Sequence, residues 1–313
     1  MKIIFMGTPH FAVASLNKLI ENGYDIVAVV TVPDKPQGRG RILKPSPVKQ
    51  TAMDHNIPVF QPENLKDNAF IQNLKLMKAS LYVVVAFRIL PEAVFSIPEY
   101  GTLNVHASLL PKYRGAAPIN RAIMNGERVT GVTTMLIDKK VDTGQILMQS
   151  KTTIPPDMTF GELHDVLARK GAELLIKTIN SLEKNAATPI IQDDSLATKA
   201  PKVRKTDCRI DFSHSALELH NQVRGLSPHP TAFCLFRNKI LKIYRTISPD
   251  ITAKCPQASD LGEIIEVHKD NIAVCCGNNQ ILRIIEVQPE GKKRMSVKDF
   301  INGYQVKTGE LLQ

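Results

Sequence analysis

Leu81-Tyr82-Val83-Val84-Val85-Ala86-Phe87 carries no charge, no Gly and no Pro. A short apolar run with a β-branched centre and no alternation reads as a strand covered on both faces. The same pattern recurs on either side of it. Lys2–Met6, Ile26–Val32 and Val59–Phe60 are apolar strand runs before it, and Gly101–Val105, Thr130–Ile137 and Ile146–Thr153 follow it. Phe11–Asn22 has helical spacing, with Phe11, Leu16, Leu19 and Ile20 among its apolar positions. Thr8 is expected as its N-cap, Pro9 in its first turn and Gly23 at its stop. Strands separated by helices predict an α/β domain over residues 1–190, doubly wound and Rossmann-like, with a mostly parallel sheet. Thr159–Leu182, a long amphipathic pattern, closes it as a helix.

The rest of the chain is built differently. Asp193–Arg209 is polar and basic, with Lys199, Lys202, Arg204, Lys205 and Arg209, and the linker is placed at 191–209. Residues 210–313 form a smaller domain. Ser215–Gly225 reads as a helix, followed by strands at Thr231–Phe236, Lys239–Thr246, Gly262–His268, Asn271–Cys276 and Gln280–Val287. Short strands with tight turns such as Cys276-Gly277-Asn278-Asn279 predict an antiparallel, OB-like β-barrel.

Charge points to a partner. The chain has 313 residues and a net charge of +10. Residues 201–313 hold 17 Lys+Arg and 12 Asp+Glu, so half of the excess sits in roughly a third of the length. Such a balance favours a polyanion, although many soluble proteins are simply basic. The five cysteines, Cys208, Cys234, Cys255, Cys275 and Cys276, form no CxxC pair, and all five are expected as reduced thiols. Cys275 and Cys276 are adjacent on a strand and should point to opposite faces. Gly7-Thr8-Pro9-His10 interrupts the N-terminal apolar run too early for a signal peptide, and no run is long enough to span a membrane. A cytoplasmic monomer without membrane or metal is expected, since the histidines show no ligand spacing.

The densest chemistry lies in Leu103–Pro118. Asn104 and His106 are two apart, so on a strand their side chains share a face. An amide and an imidazole side by side can aim donors at one oxyanion, as acyl transfer requires. Downstream, Val141-Asp142-Thr143-Gly144 puts a carboxylate on a turn, where Asp142 could fix the imidazole's protonation state. From spacing alone, a satisfied strand-end histidine and an ordinary turn aspartate would look the same. Pro33–Lys49 reads as a loop, carrying Lys35, Arg39, Arg41, Lys44 and Lys49 against Asp34 alone. That charge suits an RNA end, or simply a solvated basic loop.

Asn104-x-His106, Ser108-Leu109-Leu110-Pro111-x-x-Arg114-Gly115 and Asp142-x-Gly144, in that order, resemble the folate-dependent formyltransferase family. The likeness extends to Met6-Gly7-Thr8-Pro9-x-Phe11-Ala12, Pro33-Asp34-Lys35-Pro36-x-Gly38-Arg39-Gly40, Pro45-Ser46-Pro47-Val48-Lys49, Ile210-Asp211-Phe212 and Arg224-Gly225-Leu226-Ser227-Pro228, and so spans nearly the whole chain. The resemblance implies 10-formyltetrahydrofolate as formyl donor and the α-amine of initiator methionyl-tRNA as acceptor. It also implies Asn104, His106 and Asp142 as catalytic residues and Ser108, Leu109, Leu110 and Pro111 as part of the folate site, with Leu110–Pro111 a candidate cis bond. Arg39 is the foremost tRNA contact it suggests. Arg41, Lys44, Lys202, Arg204 and Lys205 are further candidates, with Lys292, Lys293 and Arg294 near the end. Many relatives read aromatic-Gly-x-x-Leu-Pro after the fourth strand, where this chain has Phe87-Arg88-Ile89-Leu90-Pro91, one residue shorter.

Two other classes compete. A formyltransferase for a small amine, such as glycinamide ribonucleotide or an amino sugar nucleotide, would need neither basic loop nor basic second domain. An RNA-binding protein on a degenerate enzyme fold would not need Asn104, His106 and Asp142 together. A nicotinamide-dependent oxidoreductase is excluded, because Gly7-Thr8-Pro9 is no dinucleotide fingerprint.

Overall fold

A computed structural model describes residues 1–37, 42–250, 252–256 and 259–313. Its elements begin with β1 (Lys2–Gly7), α1 (His10–Glu21), β2 (Asp25–Val30), β3 (Lys35–Gln37), β4 (Ile42–Lys44), α2 (Pro47–Asp54), β5 (Val59–Phe60) and α3 (Asn68–Leu76). Next come β6 (Leu81–Val85), α4 (Glu92–Phe95), β7 (Thr102–His106), α5 (Pro118–Met124), β8 (Val129–Leu136), β9 (Ile146–Thr153) and α6 (Phe160–Glu183). The last are α7 (Ala216–Leu226), β10 (Ala232–Phe236), β11 (Lys239–Ile247), β12 (Ile264–Val267), β13 (Ile272–Cys276), β14 (Gln280–Pro289), β15 (Met295–Ser296) and α8 (Val297–Tyr304). Two compact units result. One comprises Met1–Gly115, Thr130–Thr152 and His164–Ala200, and the other Ala116–Val129, Thr153–Leu163 and Pro201–Gln313. The stretch read as a linker is thus divided at Ala200, and it contains two 3-10 turns, Asp194–Leu196 and Lys205–Cys208.

In the first unit a seven-stranded sheet runs in the order β5-β2-β1-β6-β7-β8-β9. The pairs β2–β5, β1–β2, β1–β6 and β6–β7 are parallel, and β7–β8 is antiparallel. All five residues of β6 are buried, as its unbroken apolar run requires. Burying each of its Leu and Val side chains contributes about 1.5–3 kcal/mol. Ile4, Met6, Ala28, Val30, Tyr82 and Val84 alternate onto one face and pack with Phe70, Ile71, Leu74 and Val94. Chain order reverses between β1 and β6, which opens a crevice beyond the carboxyl ends of the parallel strands. The N-cap of α1 is Pro9, whose side chain offers no acceptor; the Thr8 hydroxyl expected there is buried without a hydrogen-bond partner among the described residues.

The second unit contains an antiparallel sheet in the order β10-β11-β14-β13-β12, with β15 on β14. The order is open: among the described residues β10 and β12 do not pair, and the strands close no barrel. Each edge instead meets the C-terminal segment. Leu235 and Gln313 exchange two backbone hydrogen bonds, and Ile264 N–H donates to the Glu310 carbonyl at 2.8 Å. These bonds cover edges that would otherwise be exposed templates for pairing. Within α7, Ser215 and Glu218 form a reciprocal capping box, with the Ser215 N–H donating to Glu218 at 2.9 Å. Cys276 faces the main core and Cys275 the opposite cluster, as adjacent strand residues must. Cys255 and Cys275 are disulfide-bonded, which corrects the expectation of five thiols; Cys208, Cys234 and Cys276 are free and buried.

The second unit also holds a buried histidine. His220 is 1% exposed, and its Nε2 donates to the Pro156 carbonyl at 3.0 Å while Nδ1 faces the Thr246 hydroxyl at 2.8 Å. Burial is the main cause that holds its pKa below the ordinary value; the Pro156 carbonyl and Asp157 oppose this, and Arg224 adds to it. The folded state therefore binds this proton less readily than the unfolded chain. Its contribution is intact above the unfolded pKa of about 6.5 and is lost as pH falls below it. Thermal midpoints between pH 8 and 5 should drop less for His220→Gln than for the native chain. Parallel curves would contradict this role.

Candidate active site

β7 ends at the crevice and carries the first two candidate residues. Asn104 lies opposite Met135 and His106 opposite Thr133 on β8. Being two apart on a strand, both project to one face. Asn104 is half-buried, and its amide makes no hydrogen bond among the described residues. His106 is buried. Its Nε2 lies 2.9 Å from the Tyr113 carbonyl oxygen. A carbonyl only accepts, so Nε2 carries a hydrogen and donates it there.

The other ring nitrogen faces Asp142. Nδ1 lies 3.7 Å from Asp142 Oδ2, and the same oxygen accepts the Gly115 N–H at 2.8 Å. The three motifs therefore converge. Asp142 sits on the turn after β8 with φ of 55°. Gly144 follows because only a residue without Cβ fits: a methyl there would overlap the Leu136 carbonyl oxygen. Gly115 has φ of 128°, and a Cβ would meet the Ala200 carbonyl.

Ser108–Pro111 leaves the same strand. Thr133 Oγ1 donates to the Ser108 carbonyl at 2.6 Å and accepts the Leu110 N–H at 3.1 Å. Gln149 Nε2 donates to the Leu110 carbonyl at 2.8 Å, and the Lys112 N–H reaches the Leu109 carbonyl at 3.1 Å. The segment is thus braced by β8 and β9, with the Leu110 side chain packed on Met135 and Ile146. Leu110–Pro111 is cis. In the shortened loop, Arg88 donates to the Pro62 and Glu63 carbonyls at 2.7 and 3.0 Å. A surface depression of about 310 Å³ beside Phe60–Asn64 shares no residue with the Asn104 cluster.

The basic loop differs from the irregular segment expected. β3 and β4 form a short hairpin in which Lys35 lies opposite Lys44. At its base, Lys49 Nζ donates to Asp34 at 2.6 Å and to Gln61 at 2.8 Å, and Gln61 Nε2 donates to Asp34 at 2.8 Å. The Lys49 hydrogen bond is the main cause that holds the Asp34 carboxyl below its ordinary range. Lys44, Lys202, Arg204, Lys205, Lys292 and Lys293 are exposed. Arg294 is engaged: it pairs through Nε and Nη2 with Glu286 and lies 4.5 Å over the Tyr244 ring. Arg39 and Arg41 lie outside the described residues. Sequence reasoning missed Tyr113, Thr133, Gln149 and Gln192. A correct register for the β7–β8 pair would have placed Thr133 beside His106; the other three gave no signal in spacing.

The formyl transferase family matches residues 1–179, and the formyl transferase C-terminal domain matches residues 202–305. The methionyl-tRNA formyltransferase of Alkaliphilus oremlandii is 47% identical over 314 residues, covering 100% of this chain and 99% of its own. That of Desulforamulus reducens is 48% identical over 313 residues, covering 100% and 98%. Among solved structures, the N-formyltransferase from Helicobacter canadensis in complex with folinic acid and dTDP-3-aminofucose has a TM-score of 0.67 at 20% identity, covering 92% of this chain and 99% of that one. HypX from Aquifex aeolicus in complex with tetrahydrofolic acid has a TM-score of 0.66 at 14% identity, covering 99% and 48%. At such identities these two speak to the fold alone. Among the described residues, no helix is long and apolar enough to cross a membrane.

Proposed function

The chain belongs to the methionyl-tRNA formyltransferase family, and on that premise we propose that it transfers the formyl group of 10-formyltetrahydrofolate to the α-amine of initiator methionyl-tRNA. The product would be formylmethionyl-tRNA for translation initiation, made in the cytoplasm by a monomer. The observation that carries this reading is the full-length identity to those relatives, and the Asn104–His106–Asp142 cluster supports the chemistry.

Residues 1–190 would be the catalytic domain, 191–209 a basic connection and 210–313 the tRNA-binding domain. The backbone bonds from Glu310 and Gln313 to both sheet edges support an OB-like barrel closed by the C-terminal segment. In the catalytic step the amine nitrogen attacks the formyl carbon. Asn104 Nδ2, without a partner among the described residues, donates to the developing oxyanion. His106 Nδ1 takes the amine's proton, and the Asp142 carboxylate favours the resulting imidazolium. Once protonated there, His106 is the second oxyanion donor. The intermediate then collapses: the bond from carbon to the folate nitrogen breaks, and that nitrogen takes up the proton. Ser108–Pro111 would border the folate, its backbone fixed by Thr133 and Gln149.

Arg39, Arg41, Lys44, Lys202, Arg204 and Lys205 would meet tRNA phosphates. Lys35 opposite Lys44 supports this, because like charges across a hairpin are unfavourable until an anion lies between them. Binding measured against salt should give a steep log–log slope, and Arg39→Ala should reduce that slope by about one and leave folate binding unchanged. An unchanged slope, or equal loss of both ligands, would contradict the role of Arg39. The acceptor itself is tested by offering charged initiator tRNA, uncharged tRNA, free methionine and an amino sugar nucleotide. Transfer to charged initiator tRNA alone is expected. Transfer to the sugar nucleotide alone would keep the chemistry and overturn the acceptor.

A further inference from the structure

We propose that Gln192 is a positioning residue for formyl transfer, holding the Asp142 turn in its reactive place. The proposal rests on the reading of Asp142 as a catalytic residue. Gln192 lies in the stretch between residues 179 and 202, which neither matched region covers. Ile190 exchanges two backbone hydrogen bonds with Ile146 at the start of β9, which brings Gln192 to the turn.

Gln192 is 8% exposed, and both ends of its amide are engaged. Its Nε2 donates to the Asp142 carbonyl at 3.0 Å and to the Gly144 carbonyl at 2.7 Å. Its Oε1 accepts from Arg114 Nε at 3.0 Å and Nη2 at 2.8 Å. Two donors at one end and an acceptor at the other are what glutamine offers and glutamate or leucine does not. Asp142 is a non-glycine residue with φ of 55°, a conformation that surrounding structure has to enforce. Gln192 supplies that restraint on both sides of Thr143.

The restraint is itself anchored. Arg114 Nη2 pairs with Asp194 at 2.7 Å, and the Arg114 backbone bonds to Thr198 and Ala200 at 2.9 and 2.7 Å. The Tyr113 N–H meets the Thr198 hydroxyl at 2.9 Å, and the Tyr113 carbonyl accepts from His106 Nε2. One stretch, Gln192–Ala200, thus fixes the backbone that orients His106 and the turn that carries Asp142.

Displacing a reacting group by about 1 Å can cost on the order of 100-fold in rate. Gln192→Leu and Gln192→Glu should each lower kcat by about that factor, with KM for both substrates within about twofold of native. Gln192→Glu can keep the Arg114 contact but sets an acceptor-only carboxylate oxygen against the Asp142 and Gly144 carbonyls, so it turns the hold on the turn into repulsion, whereas Gln192→Leu removes both ends. Because Gln192 acts through Asp142, Asp142→Asn/Gln192→Glu should lose little beyond Asp142→Asn alone. A purely structural role would lower kcat in the double variant by the product of the single losses, and that result overturns the proposal. So does native kcat in both Gln192 variants while Asp142→Asn is impaired. Native kcat in Asp142→Asn would instead overturn the site reading beneath it.

Discussion

Asn104→Ala should lower kcat by about 100- to 1,000-fold, the usual cost of removing one oxyanion donor. The expectation follows from where the amide stands. β7 pairs in register on both sides, which fixes the Asn104 backbone, and its amide has no other partner among the described residues. Replacement by alanine therefore removes no hydrogen bond among the described residues. KM for folate and for charged tRNA should change little, because in the proposed role the amide acts on charge that exists only in the transition state. The thermal midpoint should stay near native. A loss below about tenfold would remove Asn104 from this role.

Asp142→Asn should lower kcat by about 100- to 10,000-fold, the range for a lost general acid–base contribution. The substitution is nearly isosteric, and an amide oxygen can still accept the Gly115 N–H that Asp142 Oδ2 now accepts at 2.8 Å. What disappears is the negative charge 3.7 Å from His106 Nδ1. Without it, taking the amine's proton leaves an unaccompanied imidazolium in a buried place, which is costly. An unchanged kcat at an unchanged thermal midpoint would assign Asp142 to the turn alone.

Much of this is legible in the sequence. Lys2–Met6 and Leu81–Phe87 announce covered strands because both faces must be apolar, and the residues of β6 are all buried. The two-residue spacing of Asn104 and His106 placed them on one face because strand geometry is local. The 3.7 Å between His106 and Asp142 depends on pairing between distant segments, which spacing cannot state. Gln192 shows the same limit: a polar residue in a polar stretch carries no periodic signal, yet it is buried under the turn. Short strands indicated an antiparallel sheet, but whether its edges meet depends on a C-terminal segment whose own pattern is unremarkable. An odd number of cysteines does not forbid one bond; Cys275 lies on β13, and the Cys255 N–H donates to the Asn279 carbonyl on the turn after it, which sets the two cysteines side by side.

Single-turnover formyl transfer from saturating 10-formyltetrahydrofolate to initiator methionyl-tRNA, with enzyme in excess, compares the native chain, Asn104→Ala, Asp142→Asn and the double variant most directly. Residues acting on one transition state are strongly non-additive. The native chain should transfer, each single variant should be at least about 100-fold slower, and the double variant should fall only modestly below the worse single one. Near-native transfer by the double variant would place the chemistry elsewhere in the molecule.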